Sequence, residues 1–272
     1  PASNNQVVIQ KFVGSPAVVV AQKGLPAPGV AGAVFASFLG ETAGPGETVL
    51  YRATISGAGV VAANNEGLWT RTVGGVHALI MRKGQALGFS GLTVAKFVKS
   101  WATAGERFLA QVQVAGPGVN AANDQAVVLI QEDASFLVLM REGDVAMGCD
   151  GAATIGVLGS VEVDPFSGNY AIISTLAGAP VGTELAMYTG DVTLGNATTL
   201  ATHRRPNLFL RKGWLYDNQP GKVKSISLPA TNMPASGFGG TGRSRAISWA
   251  GNLAVTVEFD NGARQIMKGL VP

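Results

Sequence analysis

The chain has 272 residues, 47% of them hydrophobic and only 14% charged, with 37 glycines and a formal net charge of +3. The charged share lies well below the roughly 25% of an average soluble protein, so the chain can bury a large core but has little charge for its surface. A single cysteine, Cys149, excludes internal disulfides, no His and Cys spacing describes a metal site, and no apolar run is long enough for a membrane-spanning helix.

In chain order the sequence predicts short strands and no helix. Apolar and β-branched runs bounded by Gly, Asn, Asp and Pro are the strand-and-turn signature. The first four strands are predicted over Val7–Phe12, Ala17–Gln22, Ala33–Phe38 and Thr48–Ile55. Leu68–Val73, His77–Arg82, Thr93–Val98 and Arg107–Val114 repeat the pattern. A third set comprises Ala126–Gln131, Ser135–Arg141, Thr154–Val163 and Tyr170–Thr175. A fourth comprises Glu184–Tyr188, Asn207–Arg211, Val223–Leu228 and Arg245–Trp249. Leu253–Phe259 and Ala263–Lys268 complete a count of 18, joined by the hairpin signal Asp260-Asn261-Gly262.

Two motifs recur in phase. Ala21-Gln22-Lys23-Gly24 returns as Met81-Arg82-Lys83-Gly84, Met140-Arg141-Glu142-Gly143 and Leu210-Arg211-Lys212-Gly213, with a fainter Met267-Lys268-Gly269. The glycines stand 60, 59, 70 and 56 residues apart. A second motif, Gly57 to Trp69, matches Gly116 to Val128 at an offset of 59, and Asn4-Asn5-Gln6-Val7-Val8 reads as its tail. A fixed period of this length marks a repeat architecture. Four strands per repeat of about 60 residues is the arithmetic of a β-propeller.

The expected fold is therefore all-β: one repeat domain over residues 1–272, with repeats at 4–63, 64–122, 123–182, 183–251 and a partial one at 252–272. The strand count leaves the ring unresolved. Three solutions are open: a small fifth blade, closure of a four-bladed ring by the two termini, or an edge that accepts a strand from a neighbouring subunit. The fourth repeat carries two insertions, Thr189–Pro206 and Pro229–Ser244.

These motifs resemble the bacterial tandem-repeat proteins described by the pattern NxxGxxAF. Gly46-Glu47-Thr48-Val49-Leu50-Tyr51-Arg52-Ala53-Thr54-Ile55 is similar to the first part of that repeat, Gly67-Leu68-Trp69 to its second, and Gln22-Lys23-Gly24-Leu25-Pro26-Ala27-Pro28-Gly29 to its third. The leading asparagine is missing, and the Ala-Pro-Gly ending stands only in the first copy, later ones reading Ala86-Leu87-Gly88 and Ala146-Met147-Gly148. The resemblance implies export to the surface and a propeller-like fold. It implies no reaction.

Residues 201–224 hold Arg204, Arg205, Arg211, Lys212, Lys222 and Lys224 against Asp217 alone, a local excess of +5. Arg204, Arg205, Arg211 and Lys212 with Trp214 form the candidate site for an anionic ligand such as an acidic polymer. Other constellations read as structural. His77 and His203 lack a nucleophile context. Gly237 to Ser244 lacks the lysine and helix of a phosphate loop. Asp164 to Asn169 and Asn64-Asn65-Glu66 supply too few oxygens for calcium and suit turns. Asn196-Ala197-Thr198 matches a glycosylation acceptor.

The functional expectation is a non-enzymatic, exported structural or adhesive propeller. It needs no cofactor and self-assembles through its incomplete terminal repeat. Its partner is a second copy or a cell-surface polymer, and no nucleic acid is expected. A chain starting at Pro1 without methionine is read as one whose leader has been removed. The alternative is a propeller that binds carbohydrate or polyanion with the basic insertion. A hydrolase or lyase sited in a central channel is the third reading.

Overall fold

A computed structural model of the chain describes residues 4–11, 14–46, 48–71, 74–88, 90–149, 151–192, 206–216, 220–228, 246–248 and 250–271. Among the described residues there are 17 strands and no helix. Strands β1 (Val7–Gln10) and β2 (Val18–Gln22) form an N-terminal pair. β3 (Ala33–Ala43), β4 (Val49–Gly57), β5 (Glu66–Arg71) and β6 (His77–Arg82) form the first full sheet. β7 (Thr93–Ala102), β8 (Phe108–Ala115), β9 (Gln125–Ile130) and β10 (Phe136–Arg141) form the second. β11 (Thr154–Val163), β12 (Asn169–Ala177), β13 (Leu185–Asp191) and β14 (Asn207–Arg211) form the third. β15 (Val223–Ser227), β16 (Asn252–Phe259) and β17 (Arg264–Leu270) form a C-terminal sheet. Every strand pair is antiparallel between sequence neighbours.

The fold is all-β and propeller-like, with successive sheets packed face to face. Four hydrophobic clusters fill the four interfaces. Val8, Val20 and Ala21 meet Phe35, Tyr51 and Trp69. Leu50, Leu68 and Met81 meet Phe97, Val112 and Val128. Leu109, Val127 and Leu139 meet Val161, Ile172 and Tyr188. Ala171, Ile173, Met187 and Leu210 meet Val255, Val257 and Phe259. Each full sheet is thus covered on both sides, which is why its third strand is buried almost throughout and, in β9, carries the unbroken apolar run Val127-Val128-Leu129-Ile130. The stack does not close: no core cluster joins the N-terminal pair to the C-terminal sheet.

The first motif ends the fourth strand of each sheet and hands the chain to the next. The amides of Gly24, Gly84, Gly143 and Gly213 donate to the carbonyls of Phe35, Val94, Ile155 and Val223, at 2.8, 2.7, 2.8 and 2.7 Å. All four glycines have φ between 79° and 86°, a region that costs an L side chain free energy. Space adds a second reason, since a Cβ on Gly213 would stand 2.9 Å from the Gly182 carbonyl oxygen.

The second motif is the partner of the first. The Asn64 side chain closes its loop by accepting from Val61 N–H at 2.8 Å and donating to Gly59 O at 3.2 Å; Asn123 does the same with Asn120 and Gly118 at 2.7 and 3.1 Å. The carbonyls of these asparagines then accept Nε–H of Arg82 at 2.6 Å and of Arg141 at 3.0 Å. Thr183 accepts Arg211 Nε–H at 3.2 Å, and Asn4 accepts from Gln22 Nε2 at 3.4 Å. Each hydrogen bond latches the loop before strand three to the end of strand four.

The repeat boundaries differ from the sequence reading. Sheets begin two strands later than the predicted sets, so the chain opens with the third and fourth strands of a unit. The equivalence is exact to the bulge: the fourth strand skips one residue against the third at Val20, Ile80, Leu139 and Phe209. The predicted strand Arg245–Trp249 is not a separate strand. Ile247 pairs with Leu253, and Ala254 N–H donates to Ala246 O at 2.7 Å, on the edge of β16 that β15 occupies further along. The other edge carries β17 throughout. Residues 246–248 therefore continue β15, and the sequence insertion divides one strand. The fifth motif copy also fails as a copy, because Gly269 lies inside β17 opposite Leu253 and makes no turn. The last pair, β16 and β17, joins β15 in a small three-stranded fifth sheet.

Candidate functional site

Three residues of the predicted basic site, Arg211, Lys212 and Trp214, lie among the described residues. Arg204 and Arg205 lie outside the described residues, as do His203, Asn196 and the glycine-rich segment Gly237 to Ser244. Arg211 is buried as a latch, its Nη2 donating to Thr183 Oγ1 at 3.0 Å beside the Nε bond. Lys212 Nζ reaches Glu184 Oε1 at 3.1 Å. Trp214 is exposed, together with Leu215 and Tyr216, on the link between β14 and β15. The equivalent of Tyr216 in the other three links is a buried residue, Ala27, Leu87 or Ala146.

The remaining chemistry-bearing side chains serve the fold. Asp164 accepts from Ser167 N–H at 2.9 Å and Oγ–H at 2.6 Å, which closes its turn. Cys149 Sγ lies 3.5 Å from Tyr188 Oη. Among the described residues no group of three or more His, Cys, Asp or Glu could hold a metal ion. Glu142, which replaces the lysine of the first motif, turns inward and accepts amide protons from Gln125 and Leu158 at 3.2 Å each. Burial raises its pKa against the lowering effect of those two amides. A groove of about 740 Å³ beside β10 is lined by Leu137, Val138, Met140, Met147 and Tyr188, with Arg141 already latched.

The N-terminal pair differs from the full sheets in what it exposes. In each full sheet one residue of strand three and one of strand four form a cross-strand pair on the face that looks back to the preceding sheet. These are Trp69 with Leu79, Val128 with Val138, and Tyr188 with Leu208. Trp69 is 0% exposed and donates from Nε1 to Pro28 O at 2.9 Å. The corresponding pair at the N-terminus is Ile9 with Val19. Ile9 is 56% exposed and Val19 57%. Val7, two residues before Ile9 on the same face, is exposed as well. Among the described residues no sheet covers this face, and none pairs with the outer edge of β1.

A third sign lies on the next sheet. Phe38 of β3 pairs with Ala53 as Phe97 pairs with Val112 and Leu158 with Ser174. Phe97 and Leu158 are buried; Phe38 is half-buried. Phe97 is covered in part by the Arg52 guanidinium, 6.0 Å from the ring centre, on the second strand of the sheet behind it. Phe38 has no such strand behind it.

The pair is held to the first sheet by an aromatic and polar seam. Phe35, Phe38, Tyr51 and Trp69 make edge or tilted contacts at 5.1 to 5.9 Å, and Tyr51 stacks on Trp69 at 6.2 Å. Tyr51 Oη and His77 Nε2 are 3.0 Å apart, and Arg71 reaches across to Gln10. Desolvation lowers the His77 pKa, with the Arg71 charge adding to it; burial pushes Tyr51 up. His77, read from sequence as a strand-edge residue, starts β6 and closes this seam.

A family of unknown function, DUF7453, matches residues 1–104. The match covers the N-terminal pair, the whole first sheet and β7. No curated protein matches the chain. No helix among the described residues is long and apolar enough to cross a membrane.

Proposed function

We propose that the protein is a non-enzymatic structural module, exported to a cell surface, that associates with a second copy of itself through the N-terminal end of its sheet stack. The observation that carries this reading is the Ile9–Val19 pair, bare where three equivalent pairs are covered. Burying such side chains is favourable by about 1.5–3 kcal/mol each, so an uncovered row of them drives association. The resemblance of the motifs to NxxGxxAF repeats and the low charged share support export. Sedimentation velocity over a wide concentration range tests the association. The native chain should form dimers or longer species, and Ile9→Asp with Val19→Asp should stay monomeric with an unchanged β-sheet spectrum. A native chain that is monomeric throughout sinks the reading.

A second reading rests on Trp214 and Tyr216, exposed two residues apart on a link whose counterparts bury the second position. Two aromatic faces beside Lys222 suit stacking on a sugar ring of an acidic polysaccharide. Heparin should quench tryptophan emission and bind less tightly to Trp214→Ala and to Arg204→Ala/Arg205→Ala. Unchanged binding by all of these variants removes it.

A further inference from the structure

We propose that the free edge of β10 is a docking groove for an extended, uncharged and apolar peptide, taken up as an added strand of the second sheet. The groove lies away from the N-terminal face and does not depend on self-association.

The groove of about 740 Å³ touches every residue from Ser135 to Arg141. Alternate residues of a strand point to opposite faces. Phe136 and Val138 pack on the core shared with the first sheet, and Leu137 on the core shared with the third. A space in contact with both rows runs along the surface they have in common, the outer edge of the strand. One wall is the link from β6 to β7, with Ala86, Gly88 and Ser90; Phe89 between them lies outside the described residues. The other wall is the link from β10 to β11, with Val145 and Met147, both exposed. Among the described residues no strand pairs with this edge, so every second residue of β10 turns an N–H and a C=O into the groove. From Phe136 to Met140 the strand carries no charge and no proline, the devices that ordinarily keep an edge from pairing.

The fourth strands of the other full sheets are covered where β10 is open. A Cβ on Gly29, in the link before the first sheet, would stand 2.9 Å from Leu79 Cβ on β6, and one on Gly148 would stand 3.0 Å from Leu208 Cβ on β14. Val138 is the equivalent residue of β10, yet a Cβ on Gly88 would meet nothing within 4 Å. Two sequence changes open the gap. The link is the shortest of the three: its closing bond joins Leu87 to Leu92, where the others join Ala27 to Ala33 and Ala146 to Ala153. The second change is Val128, at the position of Trp69 and Tyr188. Trp69 holds its link by donating to Pro28 O at 2.9 Å, and Tyr188 Oη lies 3.5 Å from Cys149 Sγ. A valine has no polar group to reach with.

The edge and the walls together select the occupant. Main-chain groups along a strand edge pair with another extended main chain, and pockets beside it sort the alternate side chains. β10 has six residues, about 20 Å at the usual rise of a strand. One row of the guest meets Val138 and Ala86 beside the open Gly88, and the other meets Leu137, Val145 and Met147. Both rows are apolar, and a charged side chain between the walls gives up its water.

Fluorescence anisotropy tests the groove with a capped peptide of about six valines and threonines, tagged with fluorescein at one end. Binding should saturate. The same peptide N-methylated at every amide keeps its side chains, loses its donors and should not bind. Met147→Asp should weaken binding about tenfold. Leu25→Asp, equally exposed on the closed link of the first sheet, should leave it unchanged. Hydrogen exchange reads the place: with peptide bound, β10 amides should slow while those of β6 and β14 keep their rates. Equal binding of the N-methylated peptide means adhesion without strand pairing and overturns the inference. Binding that slows β6 or β14 instead of β10, or that ignores Met147→Asp, overturns it too. So does a parent peptide that fails to bind; β10 amides as slow as those of β9 in the chain alone would then show an edge already taken by this chain or a second copy.

Discussion

The two ends of the stack are built from the same repeat and finished differently. The C-terminal sheet turns Lys224, Thr256, Glu258, Arg264 and Lys268 outward, with Lys224 Nζ 2.8 Å from Glu258 Oε1. Such a polar outer face is what a terminal repeat needs for solubility. The N-terminal pair turns Val7, Ile9 and Val19 outward. The C-terminal face mixes its charges with exposed Ile266 and Leu270, whereas these three N-terminal side chains are all apolar.

The largest test of the contrast compares one repeat position at two depths. Trp69→Ala should cost about 3–5 kcal/mol in urea unfolding, the usual range for a large core side chain. Ile9→Ala, at the equivalent place, should cost the isolated chain a small fraction of that. Equal costs would show that the N-terminal face is covered after all. Arg82→Ala removes one latch and should lose about 1 kcal/mol, measured in the same way, while Lys83→Ala beside it should change little. A smaller effect concerns pH. Folding lowers the His77 pKa, so the unfolded chain binds the proton more tightly. The His77 contribution is present above the ordinary value of 6.5 and is lost as pH falls below it. The protection of β1 and β2 amides, taken relative to the intrinsic exchange rate at each pH, should therefore fall between neutral and mildly acidic pH, and His77→Gln should flatten that response, while the protection of β17 is unchanged. Least of all, Lys224→Ala should leave stability unchanged within error, because an exposed ion pair is screened by water.

Much of this was readable in the sequence. The two motifs gave the period and the strand–glycine–strand hand-over, because positive φ at Gly84 and a closed Asx loop at Asn64 are local demands with local residues. What escaped was the phase. A repeat fixes a period without saying where one sheet stops, and the boundary is set by which strands pair across space. Residues 229–245 hid the unity of β15 with Ala246–Ser248, since an insertion inside a strand looks like a loop between two. Met267-Lys268-Gly269 copied the wording of the motif but met a tight hairpin at Asp260-Asn261-Gly262 instead of the longer loop that precedes β5. The candidate site was half legible. Of the basic cluster, Arg211 reads as free charge until its Thr183 partner is seen, and Arg204 and Arg205 lie outside the described residues.

The latch between an arginine and the carbonyl 18 residues before it has a consequence for how such a chain grows. Both ends of the bond lie within one unit, and the glycine hand-over needs only a strand of the same kind ahead. The interfaces are less interchangeable than the latch, because the position of Trp69 is Val128 in the second sheet and Tyr188 in the third. A duplicated segment of about 60 residues would thus carry its own latch, while its neighbours would have to repack around it.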